Sequence, residues 1–205
     1  MIQEKNTYLT ISDLSKGIFK EKGSKFLAFA YPIKEEKEIK PILDKLKKEY
    51  FDARHHCYAY QIGVDKITSR VNDDGEPSGT AGKPILGQII SHNLTNVLVV
   101  VVRYFGGILL GTGGLIQAYR GASADAISKA SIISKFVLDH YRLEFNYLLM
   151  NPVMKIIKDF DLEMYDQEFE LDCQLKVKIK KNETETIIAK LSNINDLKIS
   201  FLLTE

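Results

Sequence analysis

Three stretches of this chain carry residue types that could do chemistry. The first is a polar loop, Asn72 to Gly82, in which Asp73, Asp74 and Glu76 cluster around Gly75 and Thr80 adds a hydroxyl. Such carboxylates can hold Mg²⁺ together with a phosphate, because that ion takes few protein oxygens. They can equally accept hydrogen bonds from Arg54 or Arg103 and from the N–H groups of the following helix, and Asp-Asp-Gly is an ordinary turn signal. The second stretch is dense in glycine. Gly106, Gly107, Gly111, Gly113 and Gly114, with Thr112 among them, follow Arg103 and open into a helix. N–H groups at a helix start favour an anion or phosphate, and Arg103 can pair bidentately with either a phosphate or a carboxylate. The run matches neither the phosphate-loop nor the dinucleotide-binding glycine fingerprint, so tight turns and close helix–sheet contact are the plainer use of these glycines, and a protein-docking loop is a third. The third stretch, Arg54-His55-His56-Cys57, invites a nucleophile-and-base reading. Alternation along a strand puts His55 and Cys57 on one face and Arg54 and His56 on the other. The apolar Tyr58 and Ala59 that follow favour a buried, inert thiol.

The expected site is therefore one of binding. Arg54, His56, Arg103, Gly106, Gly107, Gly111, Thr112, Gly113 and Gly114 form its ligand or anion-binding set, and Asp73, Asp74, Gly75, Glu76 and Thr80 form its motif loop. No catalytic residue, metal ligand or cofactor is assigned. Of 13 glycines, seven lie between Gly75 and Gly111. Glycine is costly to order, so this concentration points to a site built largely from backbone.

The elements that must position these residues follow from periodicity. Ile18 to Ile33 reads as a hairpin turning at Gly23-Ser24, and Glu35 to Tyr50 as a helix with Ile39, Ile42, Leu43, Leu46 and Tyr50 on one face. Arg54 to Ile62 reads as a strand, Pro84 to His92 as a helix, and Asn96 to Tyr104 as a Val-rich strand covered on both sides. Gly113 to Ala130 reads as a helix with Ala118, Ala122, Ala126 and Ala130 in a stripe suited to a sheet. Beyond it come strand 136–145, helix 148–160, strands 163–169 and 171–180, helix 183–191 and strand 197–203, a β-α-β-β-α-β order of ferredoxin-like type. The chain is expected to be α+β with two domains, 1–135 and 136–205. His92 and His140 are expected at the surface, and Lys176, Lys178, Lys180 and Lys181 along a solvated strand edge.

Composition narrows the class. Net charge is +1, but residues 1–135 carry 19 Lys+Arg against 14 Asp+Glu, and residues 136–205 carry 9 against 13. The balances are +5 and −4, so only the first domain suits an anionic partner. No run reaches the ~18 apolar residues of a membrane span, residues 1–6 lack a signal-peptide pattern, and two distant cysteines build no disulfide framework. These features imply a cytoplasmic protein with no membrane partner.

The motifs resemble the IMPACT/YigZ family. The resemblance rests on Ser24 to Leu27, Ala53 to Ala59, Asp73 to Leu86, Val101 to Gly107 and Gly111 to Tyr119. It implies a first domain like domain 2 of ribosomal protein S5 and a second like the last domain of translation elongation factor G. It further implies that eukaryotic members restrain a stress kinase acting on translation initiation, by competing for that kinase's activating partner. The expected function is thus a translation-associated factor working by contact with a translation factor, the ribosome or RNA. The alternative is a Mg-dependent enzyme or binding protein for a phosphorylated small molecule or nucleotide.

Overall fold

A computed structural model describes residues 6–205. Residues 1–5, which include most of the stretch scanned for a signal peptide, lie outside the described residues. The chain forms two compact units, one of Leu9–Lys135 and one that joins residues 6–8 to Phe136–Glu205.

The first unit is built on a five-stranded sheet. Its strands are β2 (Ser15–Glu21), β3 (Ser24–Pro32), β4 (His55–Ile62), β5 (Thr68–Asn72) and β6 (Val97–Tyr104), in the order β2-β3-β6-β4-β5 with antiparallel neighbours. The central strand β6 is buried from Val97 to Arg103, which explains its unbroken apolar run. Val97, Val99 and Val101 face α2 (Gly82–Ser91) and α3 (Gly111–Ser128), and Leu98, Val100 and Val102 face α1 (Ile39–Glu49). Burying each such side chain is worth about 1.5–3 kcal/mol, so a covered centre strand anchors both layers. Ala118, Ala122 and Ala126 of α3 are buried, as their four-residue spacing predicts. β5, β1 (Thr7–Ile11) and β7 (Ile132–Phe136) are absent from the expectations; β1 and β7 pair as a separate two-stranded sheet. Their short, half-exposed patterns leave no clean alternation to read.

The second unit follows β8 (Leu138–Asn146), α4 (Met150–Asp159), β9 (Glu163–Phe169), β10 (Asp172–Lys180), α5 (Thr184–Ser192) and β11 (Lys198–Thr204). The β-α-β-β-α-β order and the strand order β11-β8-β10-β9 are those of a ferredoxin-like split pattern. Leu175, Val177 and Ile179 pack with Val153, Ile157, Ile187 and Leu191. Two expectations are corrected here. β10 is an internal strand, paired to β8 and β9, and Lys176 and Lys178 reach across to Asp166 and Glu163 of β9. His140 is buried at 6% exposure, its Nδ1 2.6 Å from Tyr165 Oη. Both depend on sheet order, which no local pattern encodes.

Candidate functional site

The polar loop after β5 is ordered by its own carboxylates. Asn72 Oδ1 accepts the N–H of Asp74 at 2.8 Å, and the Glu76 N–H donates to the Asp73 carbonyl. Asp74 adopts φ +41° and Gly75 φ +86°, a left-handed pair that reverses the chain. The Asp73 carboxylate accepts from the N–H groups of Gly79, Ala81 and Gly82 at 2.8, 3.1 and 2.8 Å. It thereby satisfies donors at the start of α2 from outside the helix, as a residue nine positions upstream of Gly82. Desolvation pushes the Asp73 pKa up, but those three N–H groups and Lys83 outweigh it and hold the carboxyl below its usual range. Thr80, buried, donates its hydroxyl to the Pro77 carbonyl.

Glu76 is the centre of the site. Its side chain is 3% exposed, and Oε1 accepts from Arg103 Nη1 at 2.5 Å and from Tyr119 Oη at 2.8 Å. One carboxylate oxygen therefore joins the loop, the end of β6 and the middle of α3. Register explains how the partners meet: Arg103 lies opposite both Phe26 of β3 and His55 of β4. The Arg103 guanidinium carbon sits 5.5 and 5.8 Å from the ring centroids of Phe26 and Phe105, and Tyr119 meets Phe26 edge-on. His55 Nδ1 lies 2.8 Å from the Asp74 carbonyl, to which an Nδ1–H can donate, and its Nε2 lies 3.9 Å from Glu76 Oε1. Cys57 Sγ is 3.0 Å from the Asp73 carbonyl and 3.3 Å from Tyr119 Oη. Burial pushes both the Cys57 thiol and the Tyr119 phenol well above their ordinary pKa values. Cys57 is fully buried, as the apolar residues that follow it favour.

Several residues of the expected site fall elsewhere. Arg103 is not open to an anion at a rim; it is 7% exposed and spent on Glu76, because a guanidinium this deep must be paired. His56 points away from Arg103, towards the layer of α1. It serves the loop only through its main chain, whose N–H donates to Asp74 Oδ2 at 2.7 Å. Burial pushes the His56 imidazole pKa down. Arg54 is exposed just before β4. The residues missing from the expected set are His55 and Tyr119. Strand alternation already placed His55 beside Cys57, whereas Tyr119 required knowing which helix face meets β6.

The glycine turn is a different kind of place. Gly106 is locked by close approach: a Cβ there would lie 1.9 Å from the Gly23 carbonyl carbon, and its N–H donates to Ser24 Oγ. Gly107 and Gly111 have φ of +89° and +70°, and Gly107, Gly111 and Gly113 face open space. Gly114 packs under Leu110. Thr112 is exposed, and no side chain caps the start of α3 at Leu110. Among the described residues, no hydrogen bond of the Glu76 network reaches Gly111–Gly114; the link is α3 itself, through Tyr119. No helix among the described residues is long and apolar enough to cross a membrane.

Comparison with known proteins places this architecture. The family model of the Impact N-terminal domain matches residues 22–127, which contain every residue of the Glu76 network. IMPACT family member YigZ of Escherichia coli is 31% identical over 90% of this chain and 91% of its own length. Protein IMPACT of Homo sapiens is 41% identical, over 44% of this chain and 29% of its own. A solved structure described as that of a hypothetical protein covers 97% of this chain and 98% of its own at TM-score 0.77 and 29% identity. The motif spans, the domain match and the near full-length similarity agree, and the chain belongs to the IMPACT family.

Proposed function

We propose that this protein is a translation-associated regulatory factor that works by binding a translation factor or the ribosome through the motif face of its first unit. Family membership supports the translational half of this reading. The binding half rests on one observation: the carboxylates of Asp73 and Glu76 are engaged within the chain. Glu76 is closed in by Arg103 and Tyr119, and Asp73 by three backbone N–H groups, so the motif holds a surface in shape rather than presenting a reactive group. Beside it the glycine turn exposes Phe105, Ile108 and Leu109 at 44, 57 and 82%. Exposed apolar side chains on a rigid scaffold suit a protein contact. Affinity purification of ribosomes and translation factors with wild type and with Ile108→Ser/Leu109→Ser tests the reading. Recovery lost in a variant with unchanged melting is the expected result; equal recovery contradicts it.

A second reading has its own support in the uncapped start of α3, where Thr112 and Gly113 are open to solvent. Four unsatisfied N–H groups and the helix dipole there suit a phosphate-bearing small molecule. Thermal shift against nucleotides and sugar phosphates with Mg²⁺ tests it. Stabilisation by one ligand class that disappears in Gly113→Val supports it, and no shift across the panel contradicts it.

A further inference from the structure

A groove of about 450 Å³ runs between α2 and α3. Lys83, Gly87 and Gln88 line it from α2, and Ile116 and Arg120 from α3. We propose that this groove docks an acidic segment of a partner protein, whose carboxylates pair with Lys83 and Arg120 while its apolar side chains lie on Ile116. The proposal rests on the reading above that the first unit acts by protein contact, and it names the chemistry of the partner.

The two cations of the groove are held in no ion pair among the described residues. Lys83 and Arg120 are both exposed, and neither has a carboxylate within ion-pair distance among the described residues. Lys83 is close enough to the Asp73 carboxylate to lower its pKa, but that carboxylate's hydrogen bonds go to the N–H groups of Gly79, Ala81 and Gly82, not to the lysine. The Lys83 stem runs beside the loop, where a Cβ on Gly79 would meet its Cδ in ordinary contact at 3.5 Å.

The shape of the groove adds a second argument. Gly87 sits inside α2, where glycine costs about 1 kcal/mol relative to alanine. A Cβ at that position would meet nothing within 4 Å, and its backbone is not left-handed. Neither packing nor conformation within this chain demands it. What the missing side chain provides is an open wall, where another backbone can approach closely.

The same features favour protein over nucleic acid. No aromatic side chain lines the groove, so it has no stacking platform for bases. Two cations neutralise too few phosphates to hold a strand firmly. They match two carboxylates on an amphipathic acidic peptide, with Ile116 supplying the apolar floor.

Fluorescence anisotropy on the full chain tests the proposal. The probes are a labelled peptide alternating glutamate and leucine, its glutamine counterpart, and an oligouridylate of similar length. Wild type is expected to bind the glutamate peptide best. Lys83→Gln/Arg120→Gln should weaken that binding about tenfold or more, and Gly87→Leu should weaken it by filling the groove without changing charge. Equal affinity in all three proteins overturns the proposal. So does equal binding of the glutamine peptide, or tighter binding of the oligouridylate. Such a failure leaves ribosome recovery through Ile108 and Leu109 unaffected, whereas equal recovery by wild type and Ile108→Ser/Leu109→Ser with peptide binding intact contradicts only the translational reading.

Discussion

The polar loop at 72–82 and the glycine turn at 105–114 are both rich in glycine, yet they use it in opposite ways. In the loop, side chains do the holding. Asp73 gathers backbone donors, Glu76 gathers Arg103 and Tyr119, and the glycine at 75 permits the reversal that brings them together. In the turn, Gly106 is fixed by its neighbours and Gly114 packs under Leu110, while Gly107, Gly111 and Gly113 look into solvent beside exposed Ile108 and Leu109. One region is closed by internal pairing and the other is open to solvent. A cluster of charged residues is therefore weak evidence for a ligand site until its partners are known.

The contrast can be broken by substitution. Glu76→Ala leaves Arg103 buried without its anion and is expected to cost about 3–5 kcal/mol, read as a lower urea midpoint. Gly106→Ala drives a Cβ into the Gly23–Ser24 backbone and should cost about 2 kcal/mol or more by the same measurement. Asp73→Ala removes the acceptor for three N–H groups and should cost about 1–2 kcal/mol. Gly113→Ala lies at the other extreme. With open space and no left-handed backbone, it should be neutral or stabilise by up to about 1 kcal/mol in thermal melts. A Gly113→Ala variant that loses stability as Gly106→Ala does would erase the distinction between the two regions.

Asp73 also makes the loop sensitive to acid. Its folded pKa is depressed, so its contribution is complete above the ordinary carboxylate value of about 4 and is lost as pH falls through the lower folded value. The stability gap between wild type and Asp73→Asn should therefore narrow on going from pH 5 to pH 3. A gap that stays constant would show that Asp73 is held by something other than its charge.

Much of the fold was legible from local pattern. The valine run of β6, the alternation of Leu175, Val177 and Ile179, and the alanine stripe of α3 each report which faces are covered. Strand alternation also separated His55 from His56. What could not be read were facts of distant pairing. Arg103 looks like an anion ligand until Glu76, 27 residues earlier, is seen to fill it. Lys176 and Lys178 look like an edge until β9 and β8 flank them. β5 is a strand because β4 supplies its partner, not because Thr68–Asn72 has a strong period.

Glu76 and Arg103 form a structural lock at the motif face. A double-mutant cycle on Glu76→Gln and Arg103→Met, followed by urea unfolding, tests it most directly. The double variant should be more stable than the two single effects imply, with a coupling of about 1.5 kcal/mol or more. Single effects that add to within about 0.5 kcal/mol would contradict it.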